Sequence, residues 1–136
     1  MNGIDLLLAE HAKVRERFAA FAAEPTGADA GVIFDLLAAH DDAEQSALYP
    51  LVEALLDADA AWQARDEHAQ VKRLIDQARQ EEGAALLATM QMLEAAVMAH
   101  VEHEEGDLFP RLADAAGPDD LARLGARLLQ TEQRVG

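Results

Sequence analysis

The chain has 136 residues, 51% of them apolar and only 4% aromatic, which suits one compact domain with a substantial core and leaves no room for a second of ordinary size. Its formal net charge of −15 repels nucleic acid and anionic lipid, so neither is expected as a partner. The absence of cysteine excludes disulfides, thiolate nucleophiles and iron–sulfur ligation. Met1 to Asp5 carries no basic region, and the apolar run Leu6 to Ala9 is too short for a signal peptide. No stretch is read as reaching the ~20 apolar residues of a membrane helix. A soluble, cytoplasmic, single-domain protein spanning residues 1–136 is therefore expected.

Apolar residues recur every three or four positions, the helical period, and no Val/Ile/Thr-rich runs point to strands. The first helix is expected from Ile4 to Ala23, stopping at Glu24-Pro25-Thr26-Gly27. The second runs from Ala28 to Leu56 and the third from Ala60 to Gln80, before Gly83. The fourth extends from Ala84 to Ala115. Gly117-Pro118 then breaks the chain, and Leu121 to Glu132 reads as a short fifth helix. Short connections make neighbouring helices antiparallel. The expected fold is thus all-α: an up-down-up-down four-helix bundle, capped at one end by Leu121, Leu124 and Leu128 of the short C-terminal helix.

The chain also repeats itself. Glu10-His11-Ala12-Lys13-Val14 is echoed by Glu67-His68-Ala69-Gln70-Val71, and His40 to Glu44, followed by Leu48-Tyr49-Pro50, by His100 to Glu104, followed by Leu108-Phe109-Pro110. The offsets are 57 and 60 residues, as expected for two copies of one helical hairpin. Pro50 and Pro110 interrupt a continuing apolar period, and each is expected to kink its helix.

Four of the five histidines occupy the repeated places. At 100° per residue His11 shares a stripe with Leu7, Val14 and Phe18, and His68 with Val71 and Ile75. His40 and Glu44 share one with Ile33, Leu37 and Ala47, and His100 and Glu104 one with Leu93 and Val97. Both His-x-x-x-Glu pairs therefore point inward, one turn apart. Two buried carboxylates need strong compensation, and metal cations supply it. Imidazole with carboxylate suits iron, manganese or zinc, and a carboxylate can bridge two ions. Each ion would then be capped by two histidines.

The order His, His-x-x-x-Glu, His, His-x-x-x-Glu, with Leu-aromatic-Pro after each glutamate, resembles the haemerythrin-like, or HHE cation-binding, domain family from His11 through Leu112. Ferritin-like bundles use Glu-x-x-His instead, a pattern absent from this chain. The resemblance implies His11, His40, Glu44, His68, His100 and Glu104 as ligands of two iron ions joined by an oxo or hydroxo bridge, with manganese or zinc as the alternative metals.

The oxygen-carrying members have a further histidine one turn before the third-helix ligand; Ala64 stands there in this sequence. The resemblance therefore implies an open position on at least one iron, favouring reaction with peroxide, oxygen or nitric oxide over reversible oxygen carriage. His103 lies at the edge of the inward stripe. It either replaces the missing ligand or, as expected here, is partly exposed and bonded to Asp107 or solvent. Asp41 and Glu105 lie off the stripe centre and are expected to be solvated. Tyr49, half a helical turn from the ligands, is expected to take no part.

Three functions follow: a catalase- or peroxidase-like enzyme in oxidative or nitrosative stress defence, a protein that senses, stores or delivers oxygen, nitric oxide or iron, and a bundle whose metals only stabilise it. No sequence feature identifies a catalytic residue or sets the oligomeric state.

Overall fold

The computed structural model describes residues 2–135, with side chains described up to Thr131. Among these residues every regular element is helical. Helix α1 spans Gly3–Ala23 and α2 spans Gly27–Ala43, followed by a π-helical segment, Glu44–Leu48, and α3, Tyr49–Leu55. After α4, Ala58–Ala78, the pattern recurs: α5 spans Gly83–His103, then come a second π segment, Glu104–Leu108, and α6, Phe109–Ala115. The last helix, α7, spans Pro118–Val135.

The helix starts follow from local chemistry. Asn2, Thr26 and Asp57 each accept a hydrogen bond from the backbone N–H three residues on, satisfying a donor that the first turn leaves free. Gly83 opens α5 with φ at +62°, a conformation that a β-carbon would disfavour. It lets the chain reverse between α4 and α5, which pack side by side.

Pro50 and Pro110 occupy matching places in the two halves. Each sits in the first turn of a new α-helical stretch, where a missing N–H costs little, directly after a π segment. The backbone widens there to an i→i+5 pattern: Tyr49 N–H bonds the Glu44 carbonyl, and Phe109 N–H bonds that of Glu104. The Ser46 carbonyl, which an amide at position 50 would meet in an α-helix, instead accepts from the Arg127 guanidinium of α7 at 3.1 Å. This wider turn re-aims every side chain beyond it.

Helix α7 is 18 residues long, which corrects the expectation of a short fifth helix. It lies on α1, α2 and the first π segment, with Leu124 and Leu128 buried and Leu121 only partly so. Gly3 permits this approach, since a β-carbon there would stand 2.3 Å from Leu124 Cγ. The stretch Gly83–Ala115 contains an 18-residue window long and apolar enough to pass as a membrane span, contrary to the sequence expectation. In this fold it supplies core residues: Met90, Leu93 and Val97 are buried against the other helices.

The core falls into two clusters. One gathers Leu7, Leu48, Tyr49, Val52, Ala64, Leu108, Leu112 and Leu124, and the other Val14, Phe18, Ile33, Phe34, Ile75, Leu93 and Val97. His11 lies between Leu7 and Val14 on α1, so the polar residues sit where the two clusters meet.

Candidate metal centre

All six residues of the expected ligand set are buried, and Glu44 and Glu104 are 0% exposed. They form two groups. One imidazole nitrogen or carboxylate oxygen from each of His11, His40, Glu44 and Glu104 lies within 4.8 Å of the others, and the same holds for Glu44, His68, His100 and Glu104. Each group takes its histidines from one hairpin, and both glutamates belong to both groups. The π segments begin at these glutamates, so each carboxylate projects from the last regular α turn.

The inward atoms are imidazole Nε2 atoms and carboxylate oxygens. His11 Nε2 lies 3.2 Å from Glu104 Oε1 and 3.9 Å from Glu44 Oε1. His68 Nε2 lies 3.6 Å from Glu44 Oε2, His100 Nε2 lies 3.2 Å from Glu104 Oε2, and His40 Nε2 faces Glu44 Oε1. Even so, His11 Nε2, His68 Nε2, Glu44 Oε1 and Glu104 Oε1 are buried without a hydrogen-bond partner. Buried polar atoms are rarely left unpaired, and four converging on one place fit a cation better than an apolar core.

The outer nitrogens carry a second pattern. Glu10 on α1 holds His40 Nδ1 on α2 at 2.7 Å, and Asp41 on α2 holds His68 Nδ1 on α4. Glu67 on α4 holds His100 Nδ1 on α5 at 2.6 Å, and Glu105, just past α5, holds His11 Nδ1 on α1 at 2.8 Å. The four contacts close a ring around the bundle. In each, a carboxylate beside one candidate ligand in the chain orients the histidine of the next helix. An Nδ1–H donated outward leaves the Nε2 lone pair facing in, the tautomer that metal ligation requires.

The expectation of solvated Asp41 and Glu105 is thus corrected. Both are partly buried orienting groups, and Arg15 also binds Glu105 at 3.0 Å. Glu10 and Glu67 were missed as well, although both stand inside the repeated Glu-His pairs. The repeat could not have revealed the other two. Val101 stands where the second hairpin would repeat Asp41, and Gln45 where the first would match Glu105. The carboxylate has moved one helical turn between the halves.

His103 Nδ1 shares Glu67 Oε1 at 2.9 Å, and its Nε2 lies 3.7 Å from Asp107. It sits behind His100, half-buried, and belongs to neither inner group. Tyr49 overturns its expected idleness. Its hydroxyl lies 2.7 Å from Glu44 Oε2, 3.1 Å from Glu104 Oε2 and 3.2 Å from His100 Nε2. The α-helical wheel placed it half a turn away, whereas the π segment brings residue i+5 onto the face of residue i. Its repeat partner Phe109 stacks on His11 with ring centroids 5.8 Å apart. The second group therefore has a phenol where the first has an apolar ring.

The imidazoles and carboxylates of the centre shift one another's titration. Burial pushes the imidazoles down, but the carboxylates outweigh it: contacts with Glu104 and Glu44 raise His11 to about 9, and contacts with Glu104 and Glu67 raise His100 to about 10. Burial pushes Glu44 up, yet His40 and the other contacts hold it well below the usual carboxylate range. Burial beside two carboxylates pushes the Tyr49 phenol well up.

Comparison with curated proteins and with solved structures gives no match. The family model of the Hemerythrin HHE cation binding domain matches residues 2–112, which contain both hairpins and all six buried residues. With that match over most of its length, the chain belongs to the hemerythrin HHE cation-binding domain family.

Proposed function

We propose that the two groups hold a pair of iron ions bridged by Glu44 and Glu104, with an oxo or hydroxo group between them, and that the protein reacts with small oxidants. His11 and His40 cap one ion, and His68 and His100 the other, on four helices read as alternating in direction. The observation that carries this reading is the membership of both glutamates in both donor groups, with one oxygen of each unpaired. A bound iron pair supplies one-electron redox chemistry and Lewis acidity toward peroxide, oxygen or nitric oxide.

The chain's own residues do the rest. The ring of carboxylates fixes the imidazoles. The cluster around Leu7, Leu48 and Leu112 keeps water from the glutamate side. Tyr49 places its oxygen 2.7–3.2 Å from three donors of the second group, a spacing suited to neighbours in one coordination sphere. We therefore read Tyr49 as a further oxygen donor at the position that Ala64 leaves without a histidine. Ala64 and Tyr49 lie in the same buried cluster, which supports this.

Hydrogen peroxide added to the iron-loaded protein tests the reading, with oxygen evolution and peroxide loss as readouts. Turnover that is absent from the metal-free protein is the expected result. Stoichiometric uptake of oxygen or nitric oxide without turnover would favour the sensing or storage function.

A further inference from the structure

A cavity of about 320 Å³ opens between α2 and α4 and ends on His11, His40, His68 and His100. Its walls are apolar: Val14, Leu37, Val71, Ile75, Val97 and Val101. Neither Glu44 nor Glu104 lines it, nor does Tyr49, so a molecule entering it meets the imidazole rings and the carboxylate of Asp41 beside His68. We propose that this cavity binds a neutral organic molecule with a compact branched or aromatic body and one hydrogen-bonding head, the chemistry of an organic hydroperoxide. This names a substrate class for the oxidant reading above and rests on it.

Size is the first argument. An apolar cavity of ~150 Å³ already holds benzene, and water occupies only ~30 Å³ in the liquid. Hydrogen peroxide or oxygen would leave most of this space to water against aliphatic walls, which is unfavourable. A ring with two or three substituent atoms fills it.

Charge is the second. The mouth carries Asp42 and Asp76 against Lys72 and Arg79, all exposed, so it offers no excess of positive charge. The net charge of −15 further opposes a carboxylate ligand. The polar groups at the inner end are the four imidazoles, whose nitrogens are engaged by the outer carboxylates and the proposed metal pair, and Asp41, whose Oδ1 holds His68. The Asp41 carboxylate is the acceptor for a hydroperoxide or hydroxyl head while the apolar body stays among the valines.

Cumyl alcohol, the redox-inert counterpart of cumene hydroperoxide, is the probe, titrated calorimetrically into the iron-loaded protein. Saturable binding at one site per chain is expected. Val71→Phe fills the cavity from its wall and Ala38→Phe obstructs its exposed rim on α2; each should weaken binding at least ten-fold with iron content unchanged. Absence of saturable binding, or undiminished binding in both variants, would overturn the assignment. Wild-type protein that turns over hydrogen peroxide but does not bind the alcohol sinks the cavity assignment alone. Binding by protein that leaves both hydrogen peroxide and cumene hydroperoxide unreacted keeps the site and sinks the oxidant reading.

Discussion

The Tyr49 hydroxyl lies 2.7 Å from Oε2 of Glu44, five residues earlier on the same helical run. In an uninterrupted α-helix these side chains would point to different faces. The intervening π segment makes them partners and brings a phenol to the centre of the bundle. If Tyr49 is an oxygen donor to ferric iron, the oxidised protein should show a phenolate-to-iron band in the visible. Tyr49→Phe should remove that band while helical content stays unchanged. A wild-type spectrum without such a band would make Tyr49 only a hydrogen-bond donor to the glutamates.

Glu44 and Glu104 each serve both donor groups, whereas each histidine serves one. Glu44→Ala or Glu104→Ala should therefore lose both irons under mild chelation, and His11→Ala should retain more. Metal analysis after dialysis against a weak chelator decides between these outcomes. Equal retention in Glu44→Ala and wild type would remove that residue from the centre.

The ring of outer carboxylates should be felt at the metal. Replacing an orienting partner of a ligating histidine typically costs 10–100-fold in metal affinity. Glu67→Ala should lie at the upper end of that range, because Glu67 holds both His100 and His103. Competition against a chromophoric chelator measures it. Unchanged affinity would reduce the ring to surface ion pairing.

The six buried candidates were legible in the sequence because they recur at fixed spacing on apolar stripes, and the structure brings all six together. The orienting residues were not. Asp41 and Glu105 act across helices, and a single-helix wheel reports only that they lie off the inward face. Tyr49 was missed for another reason: the wheel assumes a constant 100° per residue, and the π segments break that assumption just past each glutamate. Pro50 and Pro110 were the available signal, read for the bend they impose and not for the wide turn that precedes them. The length of α7 escaped because its apolar residues are sparse, and Gly3, which receives it, lies at the far end of the chain.

Helix α7 reaches the site only through the fold, by its packing on Gly3 and its bond from Arg127 to Ser46. Gly3→Ala forces a β-carbon into Leu124 and should destabilise the protein by about 1–3 kcal/mol. Urea unfolding of the metal-loaded protein gives the value. A midpoint equal to wild type would mean that Leu124 moves aside freely.

Acid and base should both weaken the metal-free protein. His11 and His100 are raised from 6.5 to about 9 and about 10, so the stability they contribute is full below pH 6.5 and is lost as pH rises through 9 to 10. Glu44 is lowered from 4.5, so its contribution is full above that value and is lost as pH falls through the lowered pKa. Metal-free stability should therefore plateau between pH 4.5 and 6.5. Urea midpoints across pH test this, and stability still rising steadily from pH 7 to 10 would contradict it.

The central claim is that the bundle holds two ions between its shared glutamates, and metal stoichiometry tests it most directly. Protein produced in iron-replete medium and analysed by plasma emission spectroscopy should contain two irons per chain, one for each donor group. Its oxidised form should show the near-ultraviolet bands of a bridged ferric pair. A single zinc per chain with no second metal, persisting after reconstitution with ferrous iron, would contradict the account.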